Sequence, residues 1–164
     1  MKARRPTKKP AAKRRHAAAA GERAVHCDSL IAAIRELEQA LVATANGGPG
    51  TRIRRALGKV ARQVDEHVRL TEGEHGLLSM VDEKCPHLLR WSARLRAEHA
   101  QLEKAIARLT ARADRAQAAG WKRAQLAGVR RGADDLLGAL LKHQAEGTEL
   151  MFEAFVSDLG APAD

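Results

Sequence analysis

The chain has 164 residues, which is enough for one domain that buries its own core. Its 29 Lys and Arg exceed its 20 Asp and Glu by a formal net charge of +9, yet residues 1–16 alone carry eight basic and no acidic side chains, so the rest of the chain is almost neutral. With 2 Cys, 2 Trp, 2 Phe and no Tyr, the composition excludes a disulfide scaffold, a thiolate zinc site and recognition through stacked aromatic side chains.

Residues 1–21 are predicted to form a basic, disordered tail. Its cations would release counterions from a phosphate backbone, so weak, non-specific nucleic-acid contact through residues 1–16 is an open alternative for this segment. No apolar run approaches the roughly 18 residues of a membrane span. The alanine run at residues 17–20 is too short for the apolar region of a signal peptide. We therefore expect a cytoplasmic location and no membrane partner.

Helix-breaking residues divide the chain after the tail into four segments, with breaks at residues 46–50, 82–86 and 118–120. Ala, Leu, Arg and Glu dominate between the breaks, and each segment carries an apolar stripe at steps of three and four residues, which is typical of an amphipathic helix. The second segment is the least regular, because Gly73 and Gly76 weaken its last turns. The pattern predicts an all-α fold, an antiparallel up-down-up-down four-helix bundle over residues 22–164.

Every stripe contains one histidine, and the four are His26, His67, His99 and His143. In antiparallel neighbours, two residues lie at the same height when their sequence midpoint falls in the connecting turn. The midpoints of successive pairs are 46.5, 83 and 121, each within or beside a break, so we expect the four imidazoles in one layer of the core. Buried imidazoles need hydrogen bonds or a ligand, and neutral imidazole suits Fe, Zn, Cu and Ni. The layer therefore predicts a metal site, with a purely structural polar layer as the alternative.

Residues outside this layer are expected to pack or to lie at the surface. His75 and His87 are predicted at the surface, Cys85 as an exposed thiol in a turn, and Trp121 as a cover for one end of the bundle. Neither cysteine has a base partner and no Gly-x-Ser-x-Gly segment occurs, so nucleophilic catalysis is not indicated. An oxidoreductase activity stays open, but it depends on a redox-active metal.

The histidine segments together resemble the hemerythrin-like family, also called HHE cation-binding domains. The resemblance covers residues 24–164 and rests on the order and spacing of four pieces, which are VHCDSL at 25–30, DEHVRLTE at 65–72, LRAEHAQL at 95–102 and KHQAEGTEL at 142–150. It implies a four-helix bundle with non-haem iron in its core. It also implies a role in binding or sensing oxygen, nitric oxide or peroxide, or in handling iron.

The sequence departs from that family at two positions. The family's bridging carboxylates usually lie four residues after the histidines of the second and fourth helices, where this chain has Thr71 and Gly147. Because two adjacent iron ions need anionic ligands, a single-metal or altered site is expected rather than a standard diiron centre. Glu72 and Glu146 join the four histidines as predicted ligands, and Glu103 is a further candidate. The open alternative is a bundle that has lost its metal and serves as an interaction module.

Overall fold

The computed structural model describes residues 29–44 and 49–154, and these residues form helices and short connections without a β-strand. The elements are α1 over residues 29–44, α2 (Thr51–Glu72), α3 (Leu77–Lys84), a 3₁₀ turn (Pro86–Leu88), α4 (Leu89–Ala118) and α5 (Arg123–Phe152). The predicted all-α fold is confirmed. The basic tail at residues 1–21 lies outside the described residues. Of the helices described, none is both long and apolar enough to cross a membrane.

The predicted apolar stripes are the faces that the four long helices bury. In α4, for example, Leu95, Leu102, Ile106 and Leu109 are each at most 5% exposed. Burying a leucine or isoleucine side chain contributes roughly 1.5–3 kcal/mol, so these stripes account for the association of the helices. The buried apolar residues form two separate clusters, a large one shared by α1, α2, α4 and α5 and a small one around α3.

The second predicted segment is two helices rather than one. The helix α2 ends at Glu72, and α3 begins at Leu77 after a sharp turn. A Cβ atom at Gly76 would come within 2.3 Å of the Thr71 carbonyl oxygen, so the turn needs glycine there. The hydroxyl of Ser79 donates a hydrogen bond of 2.9 Å to the Gly73 carbonyl and holds α3 against the end of α2. The glycines that the sequence indicated as weak points therefore terminate the helix.

The helices α4 and α5 run in opposite directions. Arg94 near the start of α4 forms an ion pair of 3.0 Å with Glu146 near the end of α5. At the other end of the pair, Arg112 donates a hydrogen bond of 3.2 Å to the Gly128 carbonyl. The helix α4 also packs along α2 and is thus the central element of the described contacts. The complete up-down-up-down order of the four long helices stays a prediction.

Trp121 fastens the turn between α4 and α5 to the start of α2. The backbone takes positive φ values at Gly120 and Trp121, 74° and 56°, which reverses the chain within two residues. The indole lies so close to Gly50 that a Cβ atom there would come within 2.3 Å of a ring carbon. Trp121 also packs against the large apolar cluster, as expected for a residue that covers this end of the bundle.

Cys85 is fully buried, and its predicted exposure is wrong. Its backbone N–H donates to the Val81 carbonyl at 2.9 Å, and the N–H of Leu88 donates to the Cys85 carbonyl at 2.9 Å. These bonds fold the turn back onto α3, so that Cys85 joins the small apolar cluster. Its position before Pro86 indicated a turn correctly, but α3, which covers that turn, was not predicted as a separate helix.

Candidate metal centre

Three of the four predicted histidines come together in the core. His67 of α2, His99 of α4 and His143 of α5 have ring centroids 5.1, 5.5 and 4.6 Å apart. One ring nitrogen from each lies within 4.8 Å of one from each of the others. His99 and His143 are buried, and His67 is half-buried. The prediction of a common layer is confirmed for these three, whereas His26 lies outside the described residues.

The helical stripes explain why these polar rings lie inside the bundle. His99 follows buried Leu95 by four residues and precedes buried Leu102 by three, so it shares their face of α4. His143 follows buried Leu140 by three residues on α5 in the same way. Because hydrocarbon side chains hold the helix above and below each ring, apolar packing fixes the height of the imidazole layer.

Two carboxylates bind the outer nitrogens of the buried rings. Nδ1 of His99 lies 2.5 Å from Oε1 of Glu72, and Nδ1 of His143 lies 2.9 Å from Oε2 of Glu98. An ionised carboxylate has no proton to give, so each Nδ1–H is the donor. In the neutral ring the lone pair is then on Nε2. Carboxylates that fix the tautomer and orientation of a histidine in this way are the usual outer partners of metal-ligating histidines.

The Nε2 atoms of His67 and His143 face one another. Nε2 of His143 lies 3.4 Å from Nε2 of His67, and the tautomers of the two rings decide which of these atoms donates. Nε2 of His99 is buried and has no hydrogen-bond partner among the residues described. A buried acceptor without a partner costs roughly 1–3 kcal/mol. The lone pair of His99 thus marks a position where a ligand would remove that cost.

Electrostatics keep the ring of His99 neutral. Burial lowers the pKa of His99, and the nearby ring of His143 lowers it further. The hydrogen bond to Glu72 and the charges of Glu72 and Glu103 act in the opposite direction but do not outweigh burial. His99 is therefore neutral at pH 7, which is the protonation state that a metal ligand requires.

A cavity of about 240 Å³ adjoins the three histidines. It is lined by Leu30, Ile31, His67, Leu70, Thr71, Leu77, Leu78, Leu95, His99, His143, Gln144, Gly147, Thr148 and Met151. Thr71 and Gly147, each four residues after a histidine of the layer, both belong to this lining. A Cβ atom added at Gly147 would meet nothing within 4 Å. Gly147 therefore leaves open space on the side of the cavity that α5 lines.

The predicted carboxylate ligands lie in different surroundings. Glu72 contacts the imidazole layer by its hydrogen bond to the ring of His99. Glu146 forms ion pairs with Arg94 at 3.0 Å and with Lys142 at 3.5 Å, and it is not part of the three-histidine group. Glu103 is exposed on α4 and is also outside that group. As predicted, His75 and His87 lie at the surface.

Glu98 is a site residue that the sequence analysis missed. It immediately precedes His99 but contacts the ring of His143, on the neighbouring helix. The midpoint of residues 98 and 143 is 120.5, within the turn between α4 and α5. The rule that aligned the histidines would also have paired Glu98 with His143, had it been applied to carboxylates.

Among the described residues, His67, His99 and His143 form the one group of three or more His, Cys, Asp or Glu side chains close enough to share a metal ion. The chain matches no protein-family model, and comparisons with curated proteins and with solved structures likewise found no match. The interpretation of the site therefore rests on its own side chains.

Proposed function

We propose that this chain is a metal-binding protein that holds one divalent transition-metal ion on the Nε2 atoms of His67, His99 and His143. The observation that carries the proposal is the orientation of the two buried rings. Each presents Nδ1–H to a carboxylate, Glu72 for His99 and Glu98 for His143, which leaves its Nε2 lone pair available to a metal ion. A purely structural polar layer would not need three nitrogens to converge.

The spacing of the nitrogens fits a single ion. An ion with bonds of about 2.1 Å in tetrahedral geometry has ligand atoms about 3.4 Å apart. The Nε2 atoms of His67 and His143 are 3.4 Å apart, and one ring nitrogen from each of the three histidines lies within 4.8 Å of one from each of the others. Three protein ligands leave at least one coordination position open, as is typical of metal sites that bind an exogenous ligand.

The charges also favour one ion over two. Glu72 and Glu98 are each hydrogen-bonded to an imidazole, and their two negative charges balance the two positive charges of one divalent ion. A second ion would need bridging anions, and Thr71 and Gly147 stand where the family would supply them. A single-metal site is therefore the form that these residues support.

Iron is the metal that we expect, because the four histidine segments resemble the hemerythrin-like family. The adjoining cavity gives the open coordination position room for a small ligand. We accordingly propose a non-enzymatic carrier or sensor of oxygen, nitric oxide or peroxide, and that this chain is a divergent relative of the hemerythrin-like proteins. Zn, Cu and Ni also accept imidazole ligands, so the identity of the metal is part of the test.

Elemental analysis of protein purified from iron-replete cells tests the proposal. We expect about one transition-metal ion per chain in the wild type and loss of that ion in His143→Ala. The matched control is His75→Ala, which removes an exposed histidine outside the site and should retain the metal. Circular dichroism of each variant verifies that the helices are intact. A wild-type protein that contains no metal, before and after anaerobic addition of ferrous iron, would overturn the proposal and favour the metal-free interaction module.

A further inference from the structure

The cavity beside the histidines is larger than a diatomic ligand requires. Its volume is about 240 Å³. A water molecule occupies about 30 Å³ in the liquid, so a molecule of two heavy atoms would leave most of this space empty. Six of the described residues that line it are Leu or Ile, contributed by α1, α2, α3 and α4. A volume of this size with hydrocarbon walls suits an organic molecule with an apolar body.

The polar side chains in the lining offer little to a charged ligand. The Thr71 hydroxyl donates to the His67 carbonyl at 2.7 Å, and the Thr148 hydroxyl donates to the Gln144 carbonyl at 2.9 Å. Both donors are thus used within their own helices. Among the described residues of the lining, Gln144 is the one other polar side chain besides the histidines and these two threonines, and none is Lys or Arg.

The charge of the loaded site leads to the same conclusion. With one divalent ion on the histidines, Glu72 and Glu98 bring the total close to zero. An anionic ligand would add an unbalanced negative charge between hydrocarbon walls, where burial of an unpaired charge is very costly. An uncharged ligand avoids this cost and still has a lone pair to give to the metal.

We propose that this cavity binds a small, uncharged organic molecule that has one lone-pair atom at the histidine layer and an apolar body against the leucines. Thr148 and Met151 line the cavity and are exposed, so this side gives the molecule a route from solvent. Binding of the lone-pair atom rests on the proposed metal function. Binding of the apolar body depends on the cavity alone. Experiment can therefore reject the metal function without rejecting the apolar cavity, or the reverse.

Titration calorimetry with matched probes tests the ligand class. For the zinc-loaded protein, we expect 1-butylimidazole to bind at least tenfold more tightly than imidazole, because the butyl chain enters the cavity. We expect hexanoate, which is charged and of similar length, to bind more weakly than 1-butylimidazole. A butyl chain that adds no affinity, or hexanoate that binds more tightly than 1-butylimidazole, would overturn the proposal.

A glycine pair on α5 provides the variants. Gly147 lines the cavity, and its Cβ position is open, so Gly147→Leu fills the space while leucine favours the helix. Gly138→Leu is the control, because a Cβ atom there also meets nothing within 4 Å but the residue is exposed and outside the lining. We expect at least a tenfold loss of 1-butylimidazole affinity in Gly147→Leu and a change below twofold in Gly138→Leu. Equal losses in the two variants would contradict the assignment.

The metal-free protein separates this inference from the proposed function. Toluene has no lone pair for a metal, so its binding, followed by chemical-shift changes in the protein, reports on the cavity alone. We expect toluene to bind metal-free wild type and not Gly147→Leu. If the chain holds no metal but binds toluene in this way, the apolar cavity assignment stands and the metal proposal fails. If toluene does not bind the wild type, the cavity assignment fails whatever the metal content.

Discussion

The two halves of the bundle share their long helices but differ in what those helices bury. In the apolar half, which is the large cluster that includes Leu57, Val60 and Val129, the core consists of hydrocarbon side chains. In the histidine half, which comprises the imidazole layer, the cavity and the small cluster around α3, the same stripes carry His67, His99 and His143. Close packing is sufficient to explain the first half. The second half contains open space and Nε2 of His99, which has no partner in the described part of the chain. Both cost stability without a ligand, so we assign the proposed metal site to this half.

The largest expected change in stability is in the apolar half. Leu57 is fully buried there, so Leu57→Ala should lower the free energy of unfolding by about 2–5 kcal/mol. Urea denaturation of the metal-free protein measures this loss. The number of metal ions bound per folded chain should stay the same, because the substitution lies outside the imidazole layer. A loss of metal from folded Leu57→Ala would show that the two halves are not separable.

A smaller effect is expected when an outer carboxylate loses its charge. Glu98→Gln should weaken metal affinity by roughly 10–100-fold, since the amide orients the ring of His143 without balancing the charge of the ion. Glu146→Gln is the matched control, because Glu146 pairs with Arg94 and Lys142 instead. Competition with a chelator measures both affinities. Equal losses in the two variants would make Glu146 a ligand, as the sequence predicted.

A substitution in the histidine layer should not destabilise the metal-free protein, in contrast to Leu57→Ala in the apolar half. In His99→Leu an apolar side chain replaces a buried ring whose Nε2 has no partner among the described residues, and the side chain of Glu72, 30% exposed, regains water. We expect the free energy of unfolding to hold or to rise by about 1 kcal/mol, the lower end of the cost of an unpaired buried group. The same variant should lose its metal. A marked destabilisation of the metal-free variant would show that the layer is structural.

The smallest effect concerns the contact that fastens α3 to α4. Burial raises the pKa of Asp82, but hydrogen bonds from Ser92 and Arg96 outweigh burial, so that the pKa of this carboxyl lies below its usual value. The ionised Asp82 carboxylate therefore stabilises the folded protein at pH values above the pKa of Asp in the unfolded chain, about 3.9. This stabilisation is lost as the pH falls through the lower pKa that Asp82 has in the folded protein. For a partly exposed group it amounts to less than about 1 kcal/mol.

Asp82→Asn measures this contribution against the control Asp135→Asn, which alters an exposed carboxylate. The difference in unfolding free energy between wild type and Asp82→Asn should be the same at pH 7 and pH 5 and should shrink below pH 4. A difference that is constant with pH would show that the Asp82 charge does not stabilise the α3 contact. The control should show no such difference at any pH.

The sequence predicted the helical stripes and the height of the histidines because both depend on local periodicity and on connection lengths. Every α4 stripe position from Ser92 to Leu109 is buried, and three histidines meet as their midpoints required. It did not predict the break after Glu72, which depends on how closely Gly76 approaches the Thr71 carbonyl. Nor did it predict the cavity, because open space depends on packing among several helices at once.

The carboxylates show most clearly where the sequence reasoning ended. The resemblance to the hemerythrin-like family implied carboxylates four residues after His67 and His143, where this chain has Thr71 and Gly147, and so indicated a site poor in negative charge. Glu72 and Glu98 carry negative charge beside the site through hydrogen bonds to the imidazoles. Glu98 lies on α4 and contacts His143 on α5, so this pair joins two helices. Spacing within a single helix could not indicate this pairing. Comparing residues at equal height on adjacent helices could.

Imidazole ¹⁵N NMR of the protein loaded with zinc, which is diamagnetic and accepts imidazole ligands, tests the metal centre most directly. The account predicts that the Nε2 resonances of His67, His99 and His143 move to metal-bound positions at one equivalent of zinc. It also predicts that Nδ1 of His99 keeps its proton in the hydrogen bond to Glu72, and that Nδ1 of His143 keeps its proton in the hydrogen bond to Glu98. If none of the three Nε2 resonances responds to zinc, the histidine layer is not a metal site and the central claim is wrong.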